Sequence, residues 1–134
     1  MKNGFSLLEL LTVIIIISIL SVFGLSIYLG YIKDAKTSEA KMVINKIYKA
    51  NQIFYMKNGY YLEKSGYGGW NNEKKMLEIL NIEIDDKITD DWEFNIIYKS
   101  GLGKYQKIIC KSSDWRTQNL NFYYDTEFGR FFYE

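Results

Sequence analysis

The sequence predicts an α+β fold in which one long N-terminal α-helix packs on a small antiparallel β-sheet of three to four strands. Three observations lead there. Residues 5–32 form an almost unbroken apolar run whose only side chain charged at neutral pH is Glu9. The next 25 residues carry a one-sided apolar stripe at helical spacing. The last third of the chain alternates bulky, β-branched segments with Gly-, Asn- and Asp-containing turns.

The apolar run is long enough to span a bilayer, since about 20 residues rising about 1.5 Å each cross its hydrocarbon. A carboxylate deep in lipid costs about 3 kcal/mol. Glu9 therefore either sits at the headgroups or has a function within the membrane.

No proline interrupts the chain after Ile32, and Ala35-Lys36-Thr37-Ser38-Glu39-Ala40-Lys41 favours continued helix. Val43, Ile47, Ala50 and Phe54 then recur on one face, broadened by Met42 and Tyr55, and predict the side that packs on the core. Asn58-Gly59 supplies the left-handed residue that closes helices. One helix over about residues 5–57 follows, roughly 80 Å long at the standard rise. Within it Ser18, Ser21, Gly24, Ser26 and Gly30 lower helix propensity or allow close packing, and a contact surface is favoured over a kink.

Beyond Gly59 the chain reads as a Gly- and Asn-rich connection through Asn72, with no phosphate-cradle spacing. Asn72 is placed to cap a short helix from Glu73 to Leu80 with Met76, Leu77 and Leu80 inward. Asp85, Asp86, Asp90 and Asp91 form a local acidic group. It reads as a solvated turn, with calcium as the minority alternative, because Lys87 sits in its middle and no glycine provides the sharp turn of a calcium loop. Trp92–Lys99 and Lys104–Lys111 read as strands joined by Ser100-Gly101-Leu102-Gly103. Leu120–Tyr124 and Phe128–Tyr133 read as a second hairpin around Asp125-Thr126-Glu127.

Composition excludes several functions. There is no histidine, so His-dependent nucleophilic triads and His-ligated metals are ruled out. The single cysteine, Cys110, cannot form an intramolecular disulfide. Its Ile-Ile-Cys context predicts a small buried hydrophobe on a strand, with an intermolecular bridge as the minority alternative. The net charge is +1 with interleaved lysines and acids, so no nucleic-acid partner is indicated. The 12 Tyr, 8 Phe and 3 Trp fit a small core stiffened by rings. No Asp/Glu pair stands in a recognisable catalytic arrangement, and no cofactor is implied.

The segment Lys2, Gly4, Phe5-Ser6-Leu7-Leu8-Glu9 and the apolar run resembles the class III signal of type IV pilins and type II secretion pseudopilins. Looser similarity continues through Tyr28, Tyr31 and Ser38-Glu39-Ala40. An ordinary secretory signal is cut after its apolar region; this one would be cut before it. The resemblance implies that residues 1–4 are a leader removed by a prepilin peptidase after Gly4, and that Phe5 becomes an N-methylated terminus. It divides the remainder into a transmembrane and assembly half-helix, residues 5–32, and a globular domain, residues 33–134. That domain comprises an amphipathic helix over 33–57, a loop region over 58–91 and a sheet over 92–134.

It further implies a filament subunit that waits in the cytoplasmic membrane with its C-terminal domain outside, then assembles with copies of itself and related pilins. Glu9 would pair with the Phe5 amine of a neighbour. An assembly platform with a separate motor ATPase would supply the energy. Pilus subunit is the leading reading, with a secretion or DNA-uptake pseudopilin as the alternative and a non-polymerising membrane-anchored binding domain as the remote one. Many pilins close their C-terminal region with a disulfide, a pattern this chain departs from.

Overall fold

The computed structural model describes residues 6–62, 72–98, 106–114, 117 and 120–134. The element order is α1 (Leu7–Asn58), α2 (Asn72–Ile79), α3 (Asp86–Asp91), β1 (Trp92–Tyr98), β2 (Gln106–Ser112), β3 (Asn121–Asp125) and β4 (Arg130–Tyr133). The chain divides into two compact units, Met1–Ala35 and Lys36–Glu134.

In the second unit, the part of α1 from Lys36 onward packs on a four-stranded antiparallel sheet of order β1-β2-β3-β4. The pairings Phe94↔Cys110, Cys110↔Phe122, Ile96↔Ile108 and Ile108↔Tyr124 put alternate residues of each strand on the helix side. There they meet Ala40, Val43, Ile44 and Ile47, all nearly inaccessible to solvent. Cys110 is fully buried among them, as its context predicts. Burial drives its thiol pKa up, with a further upward push from the charge of Glu73.

The inward stripe of α1 differs from the expected one. Val43 and Ile47 lie on it, and Ala50 and Phe54 are partly buried at its margin, whereas Met42 and Tyr55 are exposed on other faces. Its true line runs Ala40, Val43, Ile44, Ile47 and Asn51. Asn51 is fully buried and takes the place of a backbone partner for the chain returning after the helix. Its Oδ1 accepts from the Leu62 N–H at 2.9 Å, and its Nδ2 donates to the Leu62 carbonyl at 3.1 Å and to Gln106 Oε1 at 2.9 Å. Gln106 in turn holds Thr126, whose hydroxyl accepts from the Gln106 N–H at 2.8 Å.

Helix α1 ends where Asn58-Gly59 predicts, with Gly59 at φ 77° and its N–H on the Tyr55 carbonyl. Helix α2 also matches its prediction, with Leu77 and Leu80 buried and Met76 against the core. It closes in a Schellman turn. Asn81 adopts φ 53°, its N–H reaches the Glu78 carbonyl, and the Ile82 N–H reaches that of Leu77.

The expected acidic turn is instead partly helical. Asp85 caps α3 by accepting from the Lys87 N–H at 3.0 Å. The second hairpin starts one residue later than expected, at Asn121, and ends at Tyr133 as expected, with its turn displaced toward the C-terminus. Asp125 completes β3, and its carboxylate accepts from the Glu127 N–H. Thr126–Gly129 then forms the turn, with Gly129 at φ 65°. The Gly-rich connection over 65–71, the Asn72 side-chain cap and the Ser100–Gly103 turn lie outside the described residues.

Two groups of rings stand out among the described residues. Trp92, Phe94 and Phe122 fill the core, with Trp92 and Phe122 edge to face at 5.6 Å. On the outer sheet face Tyr123 and Phe132 stack across β3 and β4 at 5.3 Å, with Lys107 over Tyr123 and Arg130 over Phe132.

Candidate assembly segment and polar stations of the domain

Helix α1 opens with a feature that the residue pattern Ser-x-x-Glu encodes. Ser6 Oγ accepts from the Leu8 N–H at 3.3 Å, and Glu9 Oε2 accepts from the Ser6 N–H at 2.9 Å. This reciprocal capping box satisfies two of the donors that a helix start leaves orphaned. The expected reading of Glu9 missed it, although the four-residue pattern was there to find. The acid also meets the positive end of the helix dipole.

Downstream, each Ser and Thr hydroxyl in the apolar run bonds back within the helix. Thr12, Ser18 and Ser21 donate to the carbonyls of Leu8, Ile14 and Ile17 at 2.7–2.8 Å, and Ser26 to that of Val22 at 3.3 Å. They therefore bring no unsatisfied donor into an apolar surrounding. The helix remains continuous through Gly24 and Gly30. The large side chains from Leu7 to Tyr31 are exposed, and the helix is long and apolar enough to cross a membrane.

In the domain, the predicted acidic residues serve separate ends. Lys36 Nζ donates to Asp91 Oδ2 and, at 2.7 Å, to Asp114 Oδ2. Burial works against the Lys36 charge, but the bonds to Asp114 and Asp91 outweigh it and raise the lysine pKa. Ser113 Oγ donates to the Asp90 carbonyl, and Asp85 is the α3 cap. Among the described residues no group of three or more His, Cys, Asp or Glu side chains is disposed to hold a metal.

Glu73 is a further station that sequence reading passed over. Its Oε1 accepts from the Phe94 N–H at 3.2 Å, on the free edge of β1, and so takes the position a neighbouring strand would occupy. Burial, then the charge of Glu93, lift its pKa to about 7 against the Phe94 hydrogen bond. The folded domain thus retains a proton that the unfolded chain releases near 4.5. Its contribution is complete below that pH and is lost as pH rises to about 7. Glu73→Gln should flatten this decline. Thermal melts of the detergent-solubilised chain between pH 4.5 and 7.5 check it; an unchanged slope in the variant rejects the assignment.

A capped apolar helix that continues into a domain and packs there on a four-stranded antiparallel sheet is an α+β, pilin-like arrangement. Residues 1–25 match the family model of the prokaryotic N-terminal methylation motif, the class III signal characteristic of type IV pilins and pseudopilins. That motif implies processing by a prepilin peptidase and assembly with copies of the same chain. Together with the apolar helix, it is consistent with membrane anchoring. No curated protein and no solved structure matches the chain. Of the predicted site residues, Glu9 lies in the first turn of α1, while Gly4 and Phe5 lie outside the described residues.

Proposed function

We propose that this chain is a structural, non-enzymatic subunit of a type IV pilus filament. It polymerises through its apolar N-terminal helix after the bond between Gly4 and Phe5 is cut. The observation that carries the reading is the methylation motif running directly into an exposed apolar helix with a single charge, Glu9. An ordinary membrane anchor has no use for Gly4, Phe5 and Glu9 together.

In this reading residues 5–32 are held by the cytoplasmic membrane with residues 33–134 outside. The helix then passes from lipid to the centre of the filament, exchanging one apolar environment for another. The new Phe5 amine of one subunit pairs there with Glu9 of the next and sets their alignment, because an unpaired charge in such a medium is costly. Extraction is driven by a separate motor ATPase on an assembly platform.

Production of the full chain with a prepilin peptidase, followed by intact-mass measurement, tests the processing. The expected product lacks Met1–Gly4 and carries one added methyl group, and Gly4→Leu leaves the precursor uncut. A wild-type mass that retains Met1 sinks the filament reading. The lone, buried Cys110 favours a second reading, a pseudopilin of a secretion or DNA-uptake system, since many pilins have a C-terminal disulfide. Sheared cell-surface filaments containing this chain decide for the pilus; their absence beside secretion-channel genes decides for the pseudopilin.

A further inference from the structure

Two surfaces of the domain are complementary in charge and in apolar relief, and both are open. The first is a groove of about 600 Å³ beside the Schellman turn of α2. Leu77, Ile82 and Ile84 supply its apolar lining, while Glu78, Glu83 and Asp86 contribute carboxylates; Lys74 is the one cation in that lining among the described residues. The second is the outer face of α1 over residues 42–57, a segment without a single Asp or Glu. At about 100° per residue, Met42, Lys46, Lys49, Ile53, Met56 and Lys57 fall within one arc of about 100°. Met42, Ile53 and Met56 are 61%, 52% and 76% exposed. Among the described residues, no ion pair within the chain engages Glu78, Glu83, Lys46 or Lys49.

We propose that the acidic groove beside α2 receives the lysine-bearing apolar face of α1, residues 42–57, from a second copy of this chain. The carboxylates meet the lysines, and Ile53 and Met56 cover the lining of Leu77, Ile82 and Ile84. Because groove and helix face are different patches of one subunit, the contact is heterologous: each copy offers both halves, and repetition makes an open series rather than a closed dimer. The inference rests on the filament reading and names the domain surfaces through which successive subunits engage. Charge complementarity selects the neighbour and its register, and the apolar contact excludes water.

Two full-length variants, Lys49→Cys and Glu83→Cys, co-produced in cells that assemble the filament, test the contact. Cys110 is buried, so the introduced thiols are the reactive ones. Mild oxidation of sheared filaments should give a covalent dimer from the mixture and none from either variant alone. Independently, Lys49→Glu should cut filament recovery about tenfold with no change in melting temperature, and Glu83→Lys in the same chain should restore it. Filaments that form without the mixed cross-link, or a loss that the second reversal does not rescue, overturn the docking surface while leaving the filament reading intact. An unmodified chain that is never processed or assembled overturns both.

Discussion

Glu9→Ala is expected to insert, to be cut after Gly4, and yet to reduce filament recovery by about two orders of magnitude. Breaking a buried pair by removing one partner costs about 3 kcal/mol or more, and each 1.4 kcal/mol is tenfold in an equilibrium. The capping box complicates that variant, because Glu9 also accepts from the Ser6 N–H. Alanine removes both the charge and the cap, and a lost cap alone is worth about 1 kcal/mol.

Glu9→Gln separates the two roles. Glutamine serves the same position of a capping box but has no charge to offer an amine. The pairing role predicts that Glu9→Gln keeps wild-type helix content and processing while assembling as poorly as Glu9→Ala. Normal filament yield from the glutamine variant would reduce Glu9 to a helix cap.

The second large effect falls on stability. Asn51→Ala should lower it by about 3 kcal/mol, because the Leu62 N–H, the Leu62 carbonyl and the Gln106 amide all lose their partner inside the domain. For a unit the size of Lys36–Glu134 this corresponds to a melting temperature lower by about 12–20 °C. The loss also frees the end of the network that reaches the β3–β4 turn through Thr126. Differential scanning calorimetry of the detergent-solubilised chain reads it. A shift below about 4 °C would mean that water replaces Asn51 at little cost.

Much of this architecture was legible because local chemistry decides it. Gly59 closes α1 because the end of the helix needs a residue at positive φ. The strands follow their bulky segments, and Cys110 is buried where a small apolar group fits. The misread parts depend on position in three dimensions. Met42 and Tyr55 adjoin the stripe in sequence, yet a helix turns each by about 100° from the next residue. Asn51 escaped notice because a polar side chain at a stripe position looks like a break in it. Its spacing from Ile44 and Ile47, seven and four residues, was the available signal.

Lys36, Asp91 and Asp114 are 55 and 78 residues apart in the chain, and nothing local announces their meeting. Helix α3 was hidden for a different reason. Asp85-Asp86 reads equally as a solvated turn or as a cap followed by a first helical turn, and neighbouring β1 and the Ser113 loop decide between them. At the N-terminal segment the methylation motif is plain in the sequence, and the same four residues, Ser6 to Glu9, also encode the capping box.

The water-excluded thiol of Cys110, held in its protonated form, has a consequence for where this domain can mature. With no cross-link to form, the sheet and its terminal hairpin reach their final state without an oxidant or a disulfide isomerase. The turn at Asp125–Gly129 and the rings stacked across β3 and β4 hold the carboxyl-terminal end instead. The domain therefore needs no oxidant, and its folding yield should not fall in reducing media.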